Sequence, residues 1–239
     1  MDLFRRTPFT FTLIFALLAV FVVEVAQSSP DFWLLGQGGL PPIAQWGVVW
    51  APAIGNGEWW RLITAGFLHL GLLHIGLNVY ALVIIGGAAE MRFGWWKTAV
   101  IFFAAVIGGD SAAMVFQPDN PTLGASGGVL GLAGAIVLAG FVTGEGLARS
   151  QWVISAIVMT LAFGFFSSGI SNAGHIGGLF VGTLVSWPMT LALPKGVGGP
   201  RYGAPRPGRQ PVNKREVEFQ RRIDEAMRRA AEERAREKQ

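Results

Sequence analysis

The groups in this chain best suited to chemistry are one serine and three histidines, all set in apolar surroundings. Ser126 lies in Gly124-Ala125-Ser126-Gly127-Gly128, directly after Pro118, Asp119, Asn120 and Pro121, which are turn residues. That order predicts Ser126 in the first turn of a helix. Unpaired backbone N–H groups and the positive end of the helix dipole gather there, and both favour an alkoxide-like nucleophile and an oxyanion. The histidines are His69, His74 and His175. His74 and Asn78 are four residues apart, about 40° around a helix, so they share a face. His69 is about 140° from His74, the wrong geometry for a shared metal, and no His-Glu-x-x-His string occurs, so no metal is expected. His69 reads as structural, holding the loop after the first span or a neighbouring carbonyl.

By itself Gly124-Ala125-Ser126-Gly127 reads equally well as small-residue packing between membrane helices. The segment Gly174-His175-Ile176-Gly177-Gly178 tips the balance. Gly174, Gly178 and Gly182 form a ridge at helical spacing, and Gly127, Gly131 and Gly134 form another. Two such ridges let backbones approach closely. If they meet, His175 comes within reach of Ser126 as its general base.

The elements that must position these groups are apolar. Of 239 residues, 51% are hydrophobic and 14% charged, and thirteen of the nineteen Lys and Arg residues lie beyond Leu193. This describes a polytopic all-α membrane protein with a polar tail rather than a soluble domain. Apolar stretches near the spanning length of about 20 residues fall at 9–26, 62–87, 95–114, 123–141, 152–166 and 173–193. Six spans are therefore expected. The first is too long for a signal peptide, and Glu24 would occupy a position that cleavage wants small. Arg5, Arg6, Arg92, Lys97, Arg149 and the tail then share one side, with Arg61 opposite. Positive charge marks the cytoplasmic face, so both termini are expected there and the connections near residues 28–60, 109–122 and 167–172 face outward. Absence of cysteine excludes disulfides and thiolate zinc sites.

Taken together, His69, His74 and Asn78, then Glu90-Met91-Arg92, then Gly124-Ala125-Ser126-Gly127, then Gly174-His175 with its following glycines resemble the rhomboid intramembrane serine proteases. The likeness runs from Trp60 to Gly182 in the family's order, and Trp60-Arg61 is similar to its Trp-Arg pair. The resemblance implies a six-helix bundle of residues 1–193 and a Ser126–His175 dyad. It also implies an oxyanion held by the Ser126 N–H with His74 and Asn78. Trp60, Arg61, His69, Glu90, Arg92, Gly124, Gly127, Gly178 and Gly182 carry structural roles in that picture, and no cofactor is implied. Leu130 stands where the family commonly has an aromatic residue, and Gly174 where it often has alanine. Substrates would be single-pass or polytopic membrane proteins cut in a transmembrane segment near the extracytoplasmic side of a bacterial inner membrane.

Residues 194–212, rich in Gly, Pro and Arg, read as a linker. In 213–239, Phe219, Ile223 and Met227 recur every fourth residue among charges, an amphipathic cytoplasmic helix suited to an anionic leaflet or a second chain; nucleic acid is not an expected partner. Two competing functions stand beside the protease: an inactive rhomboid-like protein that binds transmembrane helices, and a transporter or channel. The latter class pairs ionisable groups near the midplane, whereas here Glu24 stands alone.

Overall fold

The computed structural model describes residues 2–166 and 170–193, and the expected linker and tail helix lie outside them. The described chain is all-helical apart from one isolated bridge, Val49 with Thr122. Six long helices carry it: α1 (Pro8–Ala26), α2 (Gly71–Phe93), α3 (Trp95–Phe116), α4 (Ser126–Val142), α5 (Leu147–Phe166) and α6 (Asn172–Leu191). Among the described residues, α1, α2, α3 and 149–166 of α5 are long and apolar enough to cross a membrane. The 17 residues of α4 are fewer than a full span, and in α6 the glycines, His175 and Pro188 dilute the apolar content.

The second apolar stretch corrects the sequence reading. It breaks into a short helix at Arg61–Thr64, a 3-10 turn at Ala65–Phe67 and an extended Leu68, and α2 starts only at Gly71. Gly71 has φ of 76°, and a Cβ there would lie 2.9 Å from the Gly36 nitrogen and 3.1 Å from the Phe32 carbonyl. The connection between α1 and α2 packs onto this point, so the chain must turn there, and only glycine fits. Hydropathy cannot register such a turn, because its residues are apolar too. The same loop forms short helices at Pro30–Leu35, Pro42–Gly47 and Ala51–Gly55, each with proline in its first turn, where the missing N–H costs nothing.

Two sets of polar contacts mark the ends of the bundle. At one end the Glu90 carboxylate, 2% exposed, accepts from the N–H groups of Phe9 and Thr10 and from the Thr10 hydroxyl at 2.7–2.9 Å, capping α1 from across the fold. Beside it Arg92 binds the Glu145 carboxylate at 2.6 and 3.2 Å and the Thr143 hydroxyl at 3.0 Å, tying α2 to the α4–α5 connection. At the other end Arg61, 6% exposed, donates to the carbonyls of Gln45 and Val48 and to Glu58. Trp60 stacks on Trp46 and donates to its carbonyl. These contacts brace the connection between α1 and α2.

Between the ends, α3, α4 and α6 pack backbone to backbone through glycine. A Cβ on Gly178 would lie 2.3 Å from the Gly127 carbonyl oxygen, and one on Gly182 would lie 2.3 Å from the Gly131 Cα. The two ridges read from the sequence thus meet in register. α3 joins them at Gly109, where a Cβ would reach the Gly174 carbonyl at 2.6 Å. α5 stands at the edge: 11% of its apolar window is buried, against 33–39% for α1, α2 and α3.

Candidate active site

Ser126 opens α4, and the first intrahelical bond runs from the Val129 N–H to the Ala125 carbonyl at 3.0 Å. The N–H groups of Ser126, Gly127 and Gly128 precede that bond and point out of the helix start. What fixes this start is the preceding strand-like segment. Thr122 pairs with Val49 at 3.0 Å in both directions, and the Gly124 N–H donates to the Ala65 carbonyl at 2.9 Å, so the α1–α2 connection holds the approach to the serine.

His175 lies in the first turn of α6, 6% exposed. Ser171 caps that turn by accepting from the Gly174 N–H at 3.0 Å, and its hydroxyl also bonds Gln117 at the end of α3. The His175 Nε2 is 2.8 Å from the Ser126 Oγ, although 49 residues separate them. When Nε2 accepts from the hydroxyl, a neutral ring carries its proton on Nδ1. Nδ1 has no hydrogen-bond partner among the described residues, so no carboxylate orients the ring.

His74 stands across from this pair. Its Nδ1 accepts from the Leu70 N–H at 3.2 Å, which leaves the proton of a neutral ring on Nε2. Gly124, at φ of 121°, exposes its α-carbon to that ring: a Cβ there would lie 2.8 Å from the His74 Nε2 and 3.9 Å from the Ser126 Oγ. The small space between Ser126 and His74 therefore exists because residue 124 has no side chain. Asn78, 5% exposed, follows on the same face, and its amide donates to the His74 carbonyl at 3.0 Å. This uses one of the two amide hydrogens and keeps Asn78 on its own helix, so the structure joins Ser126 and His175 directly and puts Asn78 one turn behind.

The remaining expected residues are structural in their contacts. His69 is fully buried with its ring 5.0 Å from that of His74. Its backbone N–H donates to the Glu24 carboxylate, which ties this turn to α1. Glu90 and Arg92 serve different partners rather than each other. Sequence reasoning passed over Gly108-Gly109, Glu145, the Gln117–Ser171 cap and the partner of Glu24. The glycine pair and a serine three residues before Gly174 were available signals; the partner of Arg92 had none, because it comes from another connection.

A Rhomboid domain matches residues 56–191. Rhomboid protease GluP of Bacillus subtilis is 34% identical over 80% of this chain and 37% of its own length. Putative rhomboid protease YdcA of the same organism is 31% identical over 56% of this chain and 69% of its own length. Inactive RHOMBOID-like protein 8 of Arabidopsis thaliana is 32% identical over 55% of this chain and 38% of its own length. The chain spans well under two thirds of the length of several of the curated relatives it matches. On this match and its apolar helices, the chain is an integral membrane protein belonging to the rhomboid family.

Proposed function

We propose that this protein is an intramembrane serine endopeptidase using Ser126 and His175 as a dyad. The observation that carries the reading is the 2.8 Å contact between the Ser126 hydroxyl and the His175 Nε2 at the start of a helix. His175 takes the hydroxyl proton as Ser126 attacks the scissile carbonyl, then delivers it to the leaving amine. The carbonyl oxygen becomes an oxyanion beside the Ser126 N–H, and the His74 Nε2–H supplies a second donor across the Gly124 gap. Asn78 contributes its second amide hydrogen after a side-chain rotation toward the bound substrate. Because no described residue holds the His175 Nδ1, positioning of the ring rests on the helix contacts.

The site needs water inside a membrane protein, and its place at the starts of α4 and α6 allows a cavity open to one aqueous side. All six long helices cross the bilayer in this reading. Arg5, Arg6, Arg92, Lys97 and Arg149 put the far end on the cytoplasmic side, with the dyad facing outward across a bacterial inner membrane. Residues 1–193 form the protease domain, and the linker and tail expected at 194–212 and 213–239 lie outside the described residues. Substrates are transmembrane segments of other proteins, single-pass or polytopic. Their peptide bonds are protected by helical hydrogen bonds, so residues that weaken a helix near its outer end mark the cleavage region.

A second reading, a catalytically inactive binder of transmembrane helices, draws support from the likeness to a relative named inactive. Reconstitution separates the two. Protein in liposomes with a reporter carrying a glycine-rich transmembrane segment should cleave it near the outer end, and Ser126→Ala should abolish cleavage. Binding without cleavage by the unaltered chain would favour the inactive reading.

A further inference from the structure

Glu24 is fully buried on an apolar helix, a costly place for a carboxylate that the catalytic steps do not use. Among the described residues its hydrogen bonds come from a single group: the His69 N–H lies 3.2 Å from each carboxylate oxygen. His69 and Leu70 form the turn that leads into α2 at Gly71, where helix N–H groups are unpaired and the dipole favours an anion. The next N–H in that turn, from Leu70, donates to the His74 Nδ1. Two adjacent backbone donors are thus pulled apart, one to Glu24 and one to His74.

We infer that Glu24 is a positioning residue for His74: by holding the His69 N–H it sets the Leu70 N–H on Nδ1, which keeps the proton on Nε2 and that nitrogen beside Gly124. The inference rests on the reading of His74 as an oxyanion donor. Without an acceptor at residue 24, the buried His69 N–H must find another, and the turn rotates to reach it. Leu70 then leaves Nδ1, and His74 loses both its orientation and its single tautomer. Distance alone does not reveal this link, because Glu24 touches neither Ser126 nor His175 in any described hydrogen bond.

Glu24→Gln and Glu24→Leu test it in full-length protein. Glutamine offers an oxygen acceptor of the same reach, whereas leucine fits the span without one. Three readouts are needed: melting temperature, the rate constant of Ser126 phosphonylation by a fluorophosphonate, and the ring ¹⁵N shifts of His74. Glu24→Gln should stay within about threefold of the unaltered rate constant. Glu24→Leu should lose about tenfold, short of the 10²–10³ typical of deleting an oxyanion donor outright, and should show mixed His74 tautomers. Equal rate constants in all three proteins would overturn the inference. So would a leucine variant with a lower melting temperature whose folded fraction reacts at the normal rate, since that is a purely structural role. Should the leucine variant not fold, the unaltered protein decides: a His74 ring protonated on Nδ1 contradicts the inference. Failure of the unaltered protein to react at all would instead strike at the Ser126–His175 reading, and the His74 shifts would still report on Glu24.

Discussion

Replacing Gly178 by alanine should disable the site without touching any reacting group. The added Cβ would sit 2.3 Å from the Gly127 carbonyl oxygen and 2.8 Å from the Gly127 Cα, where ordinary contact begins at 3.4 Å. Both neighbours are backbone within helices, so relief requires α4 and α6 to separate by about 1 Å, close to the shortfall in contact distance. Ser126 is adjacent to Gly127, and His175 is three residues before Gly178, less than one turn away. Much of the separation therefore reaches the 2.8 Å contact between Ser126 and His175, taking it to about 3.8 Å, where a side-chain hydrogen bond no longer exists. A misplacement of that size costs on the order of 10²-fold in rate, while overpacking costs about 1–3 kcal/mol of stability. The assay pairs a fluorophosphonate reaction rate with thermal unfolding. Gly76→Ala is the control, because a Cβ there meets nothing within 4 Å, and alanine for glycine within a helix is neutral or stabilising by up to about 1 kcal/mol. Gly178→Ala protein that is folded and reacts at the unaltered rate would refute the argument that glycine contact sets the dyad distance.

Other perturbations address His74, Asn78 and the end of the bundle held by Glu90 and Arg92. His74→Ala should lower kcat about 10²–10³-fold with little change in KM, measured on a transmembrane reporter; a defect confined to KM would make the residue a substrate contact. Asn78→Ala should act in the same direction and by a smaller factor, as one of its two amide hydrogens is already held by the His74 carbonyl. Glu90→Leu removes three hydrogen bonds to a buried carboxylate. Charge-assisted bonds of this kind contribute about 1.5–3 kcal/mol each before relaxation, so unfolding should shift to markedly lower temperature. Arg92→Leu takes from Glu145 its two shortest cationic contacts and leaves it the Thr143 hydroxyl and Arg149 at 3.7 Å, so it should cost about 1.5–3 kcal/mol, recovered in part by a second Glu145→Leu change.

Much of the site was legible because its geometry is carried by residues that have few alternative uses. Glycine at helical spacing on two segments, 127/131 and 178/182, is already a statement about which faces meet, and the structure joins those same pairs. A serine after Pro121 and Gly124 had to begin a helix. The boundaries were harder where an apolar segment bends. Residues 62–70 look like the start of a span by hydropathy, yet the α1–α2 connection packs at Gly71 and breaks it, and this depends on Phe32 and Gly36 from another part of the chain. Glu24 shows the same limit: its charge was plain in the sequence, whereas its partner, a backbone N–H 45 residues away, carries no side-chain signature.

The central claim is that Ser126 is a nucleophile made reactive by His175. Mass-spectrometric mapping of the fluorophosphonate adduct tests it most directly, with the protein reconstituted in lipid. The adduct should sit on Ser126, be absent in Ser126→Ala, and form at least 10²-fold more slowly in folded His175→Ala, in keeping with the rate a general base contributes. An adduct on another serine, or an unchanged rate without the imidazole, would contradict it.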